Sequence, residues 1–316
     1  MEKKLVIVTG ASGQLGKEIE YVTLSTIDST SSEYEYVFLD HSKLDITDYH
    51  QSLMTIDEIL KENGLKKPSF IVNCAAYTNV NGAESDVKNA MDINAHGSDN
   101  LAKLCSWYDS VLIHISTDYV YNGEKNTPYI ASLDTPSPIG IYGMSKYLGE
   151  RYIVGSGCKY LIFRTSWLYS TYGKNFVKNM VNKLFNEHMA TVVCDQVGSP
   201  TYARDLAYFI VENIESGSLE SFASGTYHFC NKGVASWFDL TTAIADIMSK
   251  YTNFPRPEVR SCYSREYPCV VKRPSYSVLD TEETFDIFDG YPKYWRDSLE
   301  QCIDLLAKEG YFSTEK

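Results

Sequence analysis

"KLVIVTGASGQLGKEIE", residues 4–20, runs from an apolar stretch through a glycine-spaced turn into a helical pattern. The apolar part is continuous and not alternating, which suits a strand covered on both faces, as in a parallel sheet between helix layers. Glycines stand at positions 10, 13 and 16, where the strand must hand over to the helix. There they permit a tight bend, let the backbone approach a pyrophosphate and bring the helix close to the sheet. The N–H groups of the helix start face an anion held in that turn. An ordinary turn is the alternative, and the position between an N-terminal strand and a helix predicts a dinucleotide instead.

Outward from this turn the same alternation repeats. Apolar runs at 36–39 (YVFL), 70–75 (FIVNCA), 111–116 (VLIHIS) and 160–165 (YLIFRT) are separated by helical patterns opening at Gln14, over 52–62, over 94–107 and from 141. This order predicts an α/β fold, a Rossmann-like doubly wound parallel sheet. Beyond about residue 166 the texture changes to helical patterns at 174–188, 203–214 and 236–250 and a proline-bearing stretch at 253–274 that reads as irregular. The expectation is a dinucleotide-binding domain over 1–165, with part of 190–215 returning to it. A smaller, interleaved α/β substrate domain is expected over 166–316.

Composition narrows the partners. The 316 residues carry a formal charge of -12, with 44% hydrophobic and 22% charged residues. That charge repels nucleic acid and anionic membranes, so neither is expected as a partner. No apolar run reaches the length of a membrane span, and a cytoplasmic protein is the expectation. Eight cysteines lie without CxxC or CxxH spacing, which predicts free thiols, mostly in the core, and no zinc or redox pair.

After the second strand the chain reads "FLDHSKLDITD", residues 38–48. A carboxylate here accepts from the ribose hydroxyls of an adenosine and repels a 2′-phosphate, a role Asp40 fits, while Lys43 nearby has the opposite preference. A loop or cap role for Asp40 and Asp45 is equally open. NADH and NADPH therefore both remain as cofactors.

The reacting group joins two stretches, "HISTDYVYNG" (114–123) and "IYGMSKYLGE" (141–150). Ligands of parallel sheets gather outside the carboxyl ends of strands, so Ser116, Thr117 and Asp118 leave the fourth strand on the cofactor side. Reduction of a ketone makes an alkoxide that needs a proton from a placed donor. A phenol holds its proton at neutral pH, and an ammonium one helical turn away stabilises the phenolate left behind. Tyr142 and Lys146 have that spacing, and Thr117 can bond the ketone oxygen. In a chain with 25 tyrosines the spacing alone says little. Its place after a glycine loop and a threonine-ending strand gives it meaning.

Several further stretches resemble the dTDP-4-dehydrorhamnose reductases, a family of the extended short-chain dehydrogenase/reductase superfamily. They include NCAAYTNVNGAES (73–85), FRTSWLY (163–169), NFV (175–177), DQVGSPTYARDLA (195–207), GTYHF (225–229) and RPSYSVLD (273–280). The resemblance implies NAD(P)H-dependent reduction of the C4 keto group of dTDP-6-deoxy-L-lyxo-4-hexulose to dTDP-L-rhamnose. It implies Thr117, Tyr142 and Lys146 as the catalytic trio. Gly10, Ser12, Gly13, Gln14, Leu15, Gly16, Ala75, Ala76 and Lys146 are implied around the cofactor, with Asp45 and Ile46 beside its adenine. Thr78, Val80, Asp118, Tyr119, Trp167 and Arg273 are implied around the substrate. Core packing for Trp167 and a solvated surface position for Arg273 are the alternatives. Related 4,6-dehydratases carry acidic residues directly after the strand-end threonine, whereas here Tyr119 follows Asp118, which favours simple reduction.

Two departures from the family pattern stand out. Val80-Asn81-Gly82-Ala83-Glu84 replaces a more charged run near the substrate mouth. Some members dimerise through magnesium held by glutamates; Glu18 matches one position, but Met189 and Ala190 offer no carboxylate at the other, so no metal is expected. A homodimer is open. The alternatives are a 4-reductase of another nucleotide 4-keto-6-deoxy sugar, or a non-catalytic dinucleotide-binding subunit resembling methionine adenosyltransferase β.

Overall fold

The computed structural model describes residues 3–28, 31–220, 222–267, 269 and 271–312. Its longer strands are β1 (Lys4–Thr9), β2 (Tyr34–Leu39), β3 (Pro68–Asn73), β4 (Val111–Thr117), β5 (Lys159–Thr165), β6 (Met189–Val193), β7 (Gly225–His228) and β8 (Glu258–Cys262). The longer helices are α1 (Gln14–Thr26), α2 (Tyr49–Glu62), α3 (Gly97–Tyr108), α4 (Ile141–Gly155), α5 (Phe176–Glu187), α6 (Ala203–Glu215), α7 (Trp237–Met248) and α8 (Trp295–Lys308). Six strands form one parallel sheet in the order β7-β5-β4-β3-β1-β2. The chain reverses its direction of travel across the sheet between β1 and β3. That switch point is where an open parallel sheet leaves a crevice for a ligand.

Both faces of the sheet are covered, as the continuous apolar runs require. On one face Leu15, Ile19 and Val22 of α1 pack with Leu206, Phe209 and Ile210 of α6 over Val6, Val8 and Phe163. On the other, Ile56 of α2, Leu101 and Leu104 of α3 and Ile153 of α4 cover Leu5, Ile7 and Ile71. A further core gathers Val177 and Val181 of α5, Ile244 of α7 and Leu299 and Ile303 of α8. Two elements from beyond residue 200 thus serve the large sheet: α6 lies against α1, and β7 pairs with β5.

Some boundaries differ from the sequence expectation. The third helical pattern opens with a π-helical segment, Asp92–His96, before α3. There Asn94 turns inward and bonds both backbone groups of Tyr77 and the Ser145 hydroxyl. The stretch expected to be irregular contains β8, which pairs in parallel with β6. Its side chains are exposed or half-buried, so it lacks the apolar run that announces a covered strand. Pro268 and Val270 of that stretch lie outside the described residues. All eight cysteines are free; Cys105, Cys158, Cys230 and Cys302 are buried, and Cys269 is exposed. No helix among the described residues is long and apolar enough to cross a membrane.

Candidate active site

The glycine turn is held from below by the neighbouring strand. Gly10 has φ +64°, and a Cβ there would lie 2.5 Å from the backbone N of Ala75. Only glycine permits both that conformation and that approach. At Gly13, the N-cap of α1, an added Cβ would meet nothing nearer than the Gly10 carbonyl at 3.1 Å, so the space above the turn is open. No side chain caps α1 and its first turn has no acidic residue. Its initial N–H groups are left to an incoming anion, and the turn fits the pyrophosphate of a dinucleotide.

A cavity of about 590 Å³ opens beside this turn. Gly13, Gln14 and Leu15 form one side, and Ala76, Thr78 and Val80 come from the segment after β3. Thr117, Asp118 and Tyr119 enter from the end of β4, Tyr142 and Lys146 from α4, Trp167 from beyond β5, and Arg273 from the long C-terminal loop. Residues as far apart in sequence as Gly13 and Arg273 are thus brought together. Gly10, Ser12, Gly16, Asp40, Asp45, Ile46 and Ala75 do not line this cavity. Gly10 and Ala75 form its floor by their close approach. Asp40 accepts from Ser42 and Lys43 of its own loop, and these bonds, with that of Ser42 foremost, hold its carboxyl below the usual range. Asp45 accepts from Thr47, and Ile46 is buried in the core beside α2 and α3.

The start of α4 is pressed onto the turn that follows β4. A Cβ at Gly143 would overlap the Tyr119 carbonyl oxygen, so glycine here sets how near Tyr142 comes to the strand end. The Tyr142 and Thr117 side chains face the same cavity, and the Thr117 hydroxyl donates to Asp118 Oδ1 at 3.0 Å. Burial pushes the Tyr142 phenol up to about 12; the neighbouring Thr117 hydroxyl opposes this and the Asp118 carboxylate adds to it. Tyr142 therefore holds its proton at neutral pH. Tyr119 packs edge-on against it with centroids 5.5 Å apart. Burial pushes the Asp118 carboxyl up to about 6, against the nearby Ser277 and Thr117 hydroxyls; Thr117 holds its Oδ1, and its Oδ2 has no partner among the described residues.

Lys146 is 2% exposed. Its Nζ donates to the Ile115 carbonyl at 2.6 Å and lies 3.3 Å from His114 Nε2. Burial brings its pKa down to about 8, against the pull of Glu150 and Cys74. The Lys146 amine is thus anchored to the β4 backbone within the cavity that Tyr142 also lines.

Trp167 has φ +48°, a costly conformation for a bulky residue, and its ring stacks on Trp237 with centroids 3.5 Å apart. Trp167 and Trp237 both face the cavity. A second cavity of about 670 Å³ adjoins it, sharing Phe176, Trp237 and Arg273 and adding Lys183, Arg265 and Lys272. Arg273 is half-buried, with no hydrogen-bond partner for its Nε among the described residues. Glu18 is fully buried, paired with Arg204 at 2.7 Å and accepting from Ser170 at 2.6 Å, so its carboxylate is engaged within the chain.

Sequence reasoning passed over several neighbours of the site. Asn175 caps α5 and donates to Gln14 Oε1 at 2.9 Å, and Trp237 backs Trp167. Asn73, His114 and Glu150 stand in stretches that drew attention for other residues, and their neighbours on other strands are invisible to local pattern.

A family model described as the RmlD substrate binding domain matches residues 3–308. The chain is 35% identical to the dTDP-4-dehydrorhamnose reductase of Aggregatibacter actinomycetemcomitans, covering 93% of this chain and 96% of the relative. It is 32% identical to a dTDP-4-keto-6-deoxy-D-glucose reductase of Streptomyces niveus, covering 95% and 96%. Among solved structures, a dTDP-4-dehydrorhamnose reductase of Bacillus anthracis in complex with NADP superposes with a TM-score of 0.82 at 35% identity, over 96% of this chain and 99% of that one. A glycine cradle, a threonine-tyrosine pair and a buried lysine around one crevice thus occur in a chain matched nearly end to end, which belongs to the dTDP-4-dehydrorhamnose reductase family.

Proposed function

We propose that this chain reduces the C4 keto group of dTDP-6-deoxy-L-lyxo-4-hexulose to give dTDP-L-rhamnose, using NADPH or NADH. The observation that carries this reading is the convergence of Thr117, Tyr142 and Lys146 on one cavity at the sheet's carboxyl edge, with Gly13 and Gln14 of the glycine turn on its other side. The first 165 residues, with α6 and β7, hold the cofactor, and most of the remainder holds the sugar nucleotide.

Gly13, Gln14 and Leu15 receive the pyrophosphate at the uncapped start of α1. When bound, the nicotinamide supplies hydride. Thr117 bonds the substrate's keto oxygen, and Tyr142 gives that oxygen its proton as negative charge develops on it. A phenol with a pKa near 12 is protonated throughout the physiological range but gives its proton up reluctantly. The positive charge of Lys146 offsets that reluctance by stabilising the phenolate. Arg273, standing where the two cavities meet, faces the diphosphate, and Trp167 on Trp237 forms the wall behind the sugar. Tyr119, not a second acid, follows Asp118, which favours simple reduction over elimination of water.

The test is loss of NADPH absorbance with a panel of 4-keto-6-deoxy sugar nucleotides. Turnover on the dTDP-L-lyxo sugar is expected, and inactivity on every dTDP sugar would overturn the reading. Tyr142→Phe should keep cofactor affinity and lose about 10²–10⁴-fold in kcat, the usual share of a placed proton donor. Turnover near the parent rate would exclude Tyr142 as donor. The similarity to the Streptomyces niveus enzyme supports a second reading, reduction of a dTDP-4-keto-6-deoxy sugar of another configuration, which the same panel separates.

A further inference from the structure

Lys146 lies at the end of a buried hydrogen-bond chain that begins at the floor of the crevice. The Ala75 N–H donates to Asn73 Oδ1 at 3.1 Å, Asn73 Nδ2 lies 3.0 Å from His114 Nδ1, and His114 Nε2 lies 3.3 Å from Lys146 Nζ. Asn73 is 1% exposed and His114 fully buried, so water does not redirect these bonds. The polarity of the chain is set from one end. A backbone N–H can only donate, so Asn73 must turn its carbonyl to Ala75 and its amide N–H to His114. The Thr9 hydroxyl, 2.8 Å from the same Oδ1, suits either orientation and completes this one as a donor. His114 Nδ1 is therefore an acceptor, and the neutral ring carries its proton on Nε2. A doubly protonated ring is excluded, because its second N–H would face the Asn73 amide. Burial first and then the Lys146 charge also hold the ring well below the ordinary histidine range. The Nε2–H consequently points at Lys146 Nζ. An amine has a lone pair to receive it; an ammonium has none.

We propose that Asn73 and His114 are positioning residues that favour the amine form of Lys146, through a His114 Nε2–H aimed at its Nζ. This rests on the reading of Tyr142 as proton donor. When Lys146 loses a proton, the electron pair stays on Nζ, where the His114 Nε2–H stabilises it, and the charge that supports the Tyr142 phenolate is gone. The other groups acting on Nζ are the Ile115 carbonyl of β4, the Cys74 thiol after β3 and Glu150 of α4, and Tyr142 of α4 lines the same cavity. The carbonyl accepts from either form. Glu150 and Cys74 favour the ammonium, so His114 works against them.

The test has a spectroscopic arm and a kinetic arm. In ¹⁵N spectra of histidine-labelled protein, assigned with a His114→Gln sample, His114 should be protonated at Nε2 and bare at Nδ1. His228 is an internal reference of the opposite tautomer, since its Nδ1 lies 2.9 Å from the Asp280 carbonyl and its Nε2 faces the Tyr121 hydroxyl. A proton on His114 Nδ1 would overturn the proposal. In the kinetic arm, Asn73→Asp puts a second acceptor opposite His114, moves the proton to Nδ1 and offers the Nε2 lone pair to an ammonium. Reduction needs Lys146 charged, so activity falls as pH rises through its pKa. The basic limb of kcat/KM should therefore move upward by about one pH unit or more in Asn73→Asp. The proposal fails if the tautomer reverses and the limb stays in place. If Asn73→Asp does not fold, His114→Gln decides the kinetic arm, because its amide can turn a carbonyl toward the ammonium and should raise the limb as well. Survival of activity in Tyr142→Phe would instead sink the donor reading and leave the tautomer result standing.

Discussion

Arg273 carries a guanidinium whose Nε is buried without a hydrogen-bond partner among the described residues, at the junction of two cavities. A buried donor of that kind costs stability unless something meets it, and a diphosphate meets it with charge-assisted bonds. Arg273→Ala should raise KM for the sugar nucleotide by about 10–100-fold with little change in kcat, the size of a hydrogen bond to a charged group. Steady-state kinetics at fixed NADPH checks this, and an equal fall in kcat would place Arg273 nearer the chemistry. Trp167 is the other residue that departs from ordinary backbone preference. Its positive φ is held in place by the stack on Trp237, so two rings far apart in sequence share one wall.

Helix α4 explains why a four-residue spacing matters. Tyr142, Lys146 and Glu150 recur along one face of it, and Glu150 is anchored by Arg164 of β5 at 2.6 Å and by the Ser116 hydroxyl of β4. Both partners of this pair are buried. Glu150→Ala would leave the Arg164 charge uncompensated and should cost about 3–5 kcal/mol of stability, seen as a lower denaturant midpoint at unchanged slope. A change within experimental error would mean that water reaches Arg164. The tyrosine and lysine of this face are legible from "IYGMSKYLGE", because the proposed chemistry needs them one turn apart. The role of Glu150 is not, because its partner sits on a strand that packs against the helix only after the sheet has formed.

Across the whole molecule, strand β7 brings His228 into a buried network with Tyr121 and Arg164. Burial, reinforced by the Arg164 charge, lowers the His228 pKa to about 3. The unfolded chain would bind this proton near pH 6.5, so the stability present above that pH is lost progressively as pH falls from about 6.5 toward 3. At pH 5 the loss from His228 alone should be about 2 kcal/mol, and His114 acts in the same direction. Thermal unfolding between pH 7.5 and 5 checks this, with His228→Gln expected to show a shallower decline. An identical slope in the variant would show that His228 is not charged on unfolding.

Local pattern by itself determined the parallel sheet and the glycine turn, and it marked Thr117, Tyr142 and Lys146 as the candidate set. Each follows from a short-range requirement: two-sided burial of a strand, a bend that only glycine allows, and two groups one helical turn apart. Tertiary structure alone decided the rest. It returned α6 and β7 to the sheet, made β8 a strand by pairing an exposed edge, and placed Trp237 and Arg273 beside residues far from them in sequence. It also set the polarity of the Asn73–His114–Lys146 chain. The identity of a histidine does not say which nitrogen holds the proton; a backbone N–H fixed by the fold does, because it can only donate.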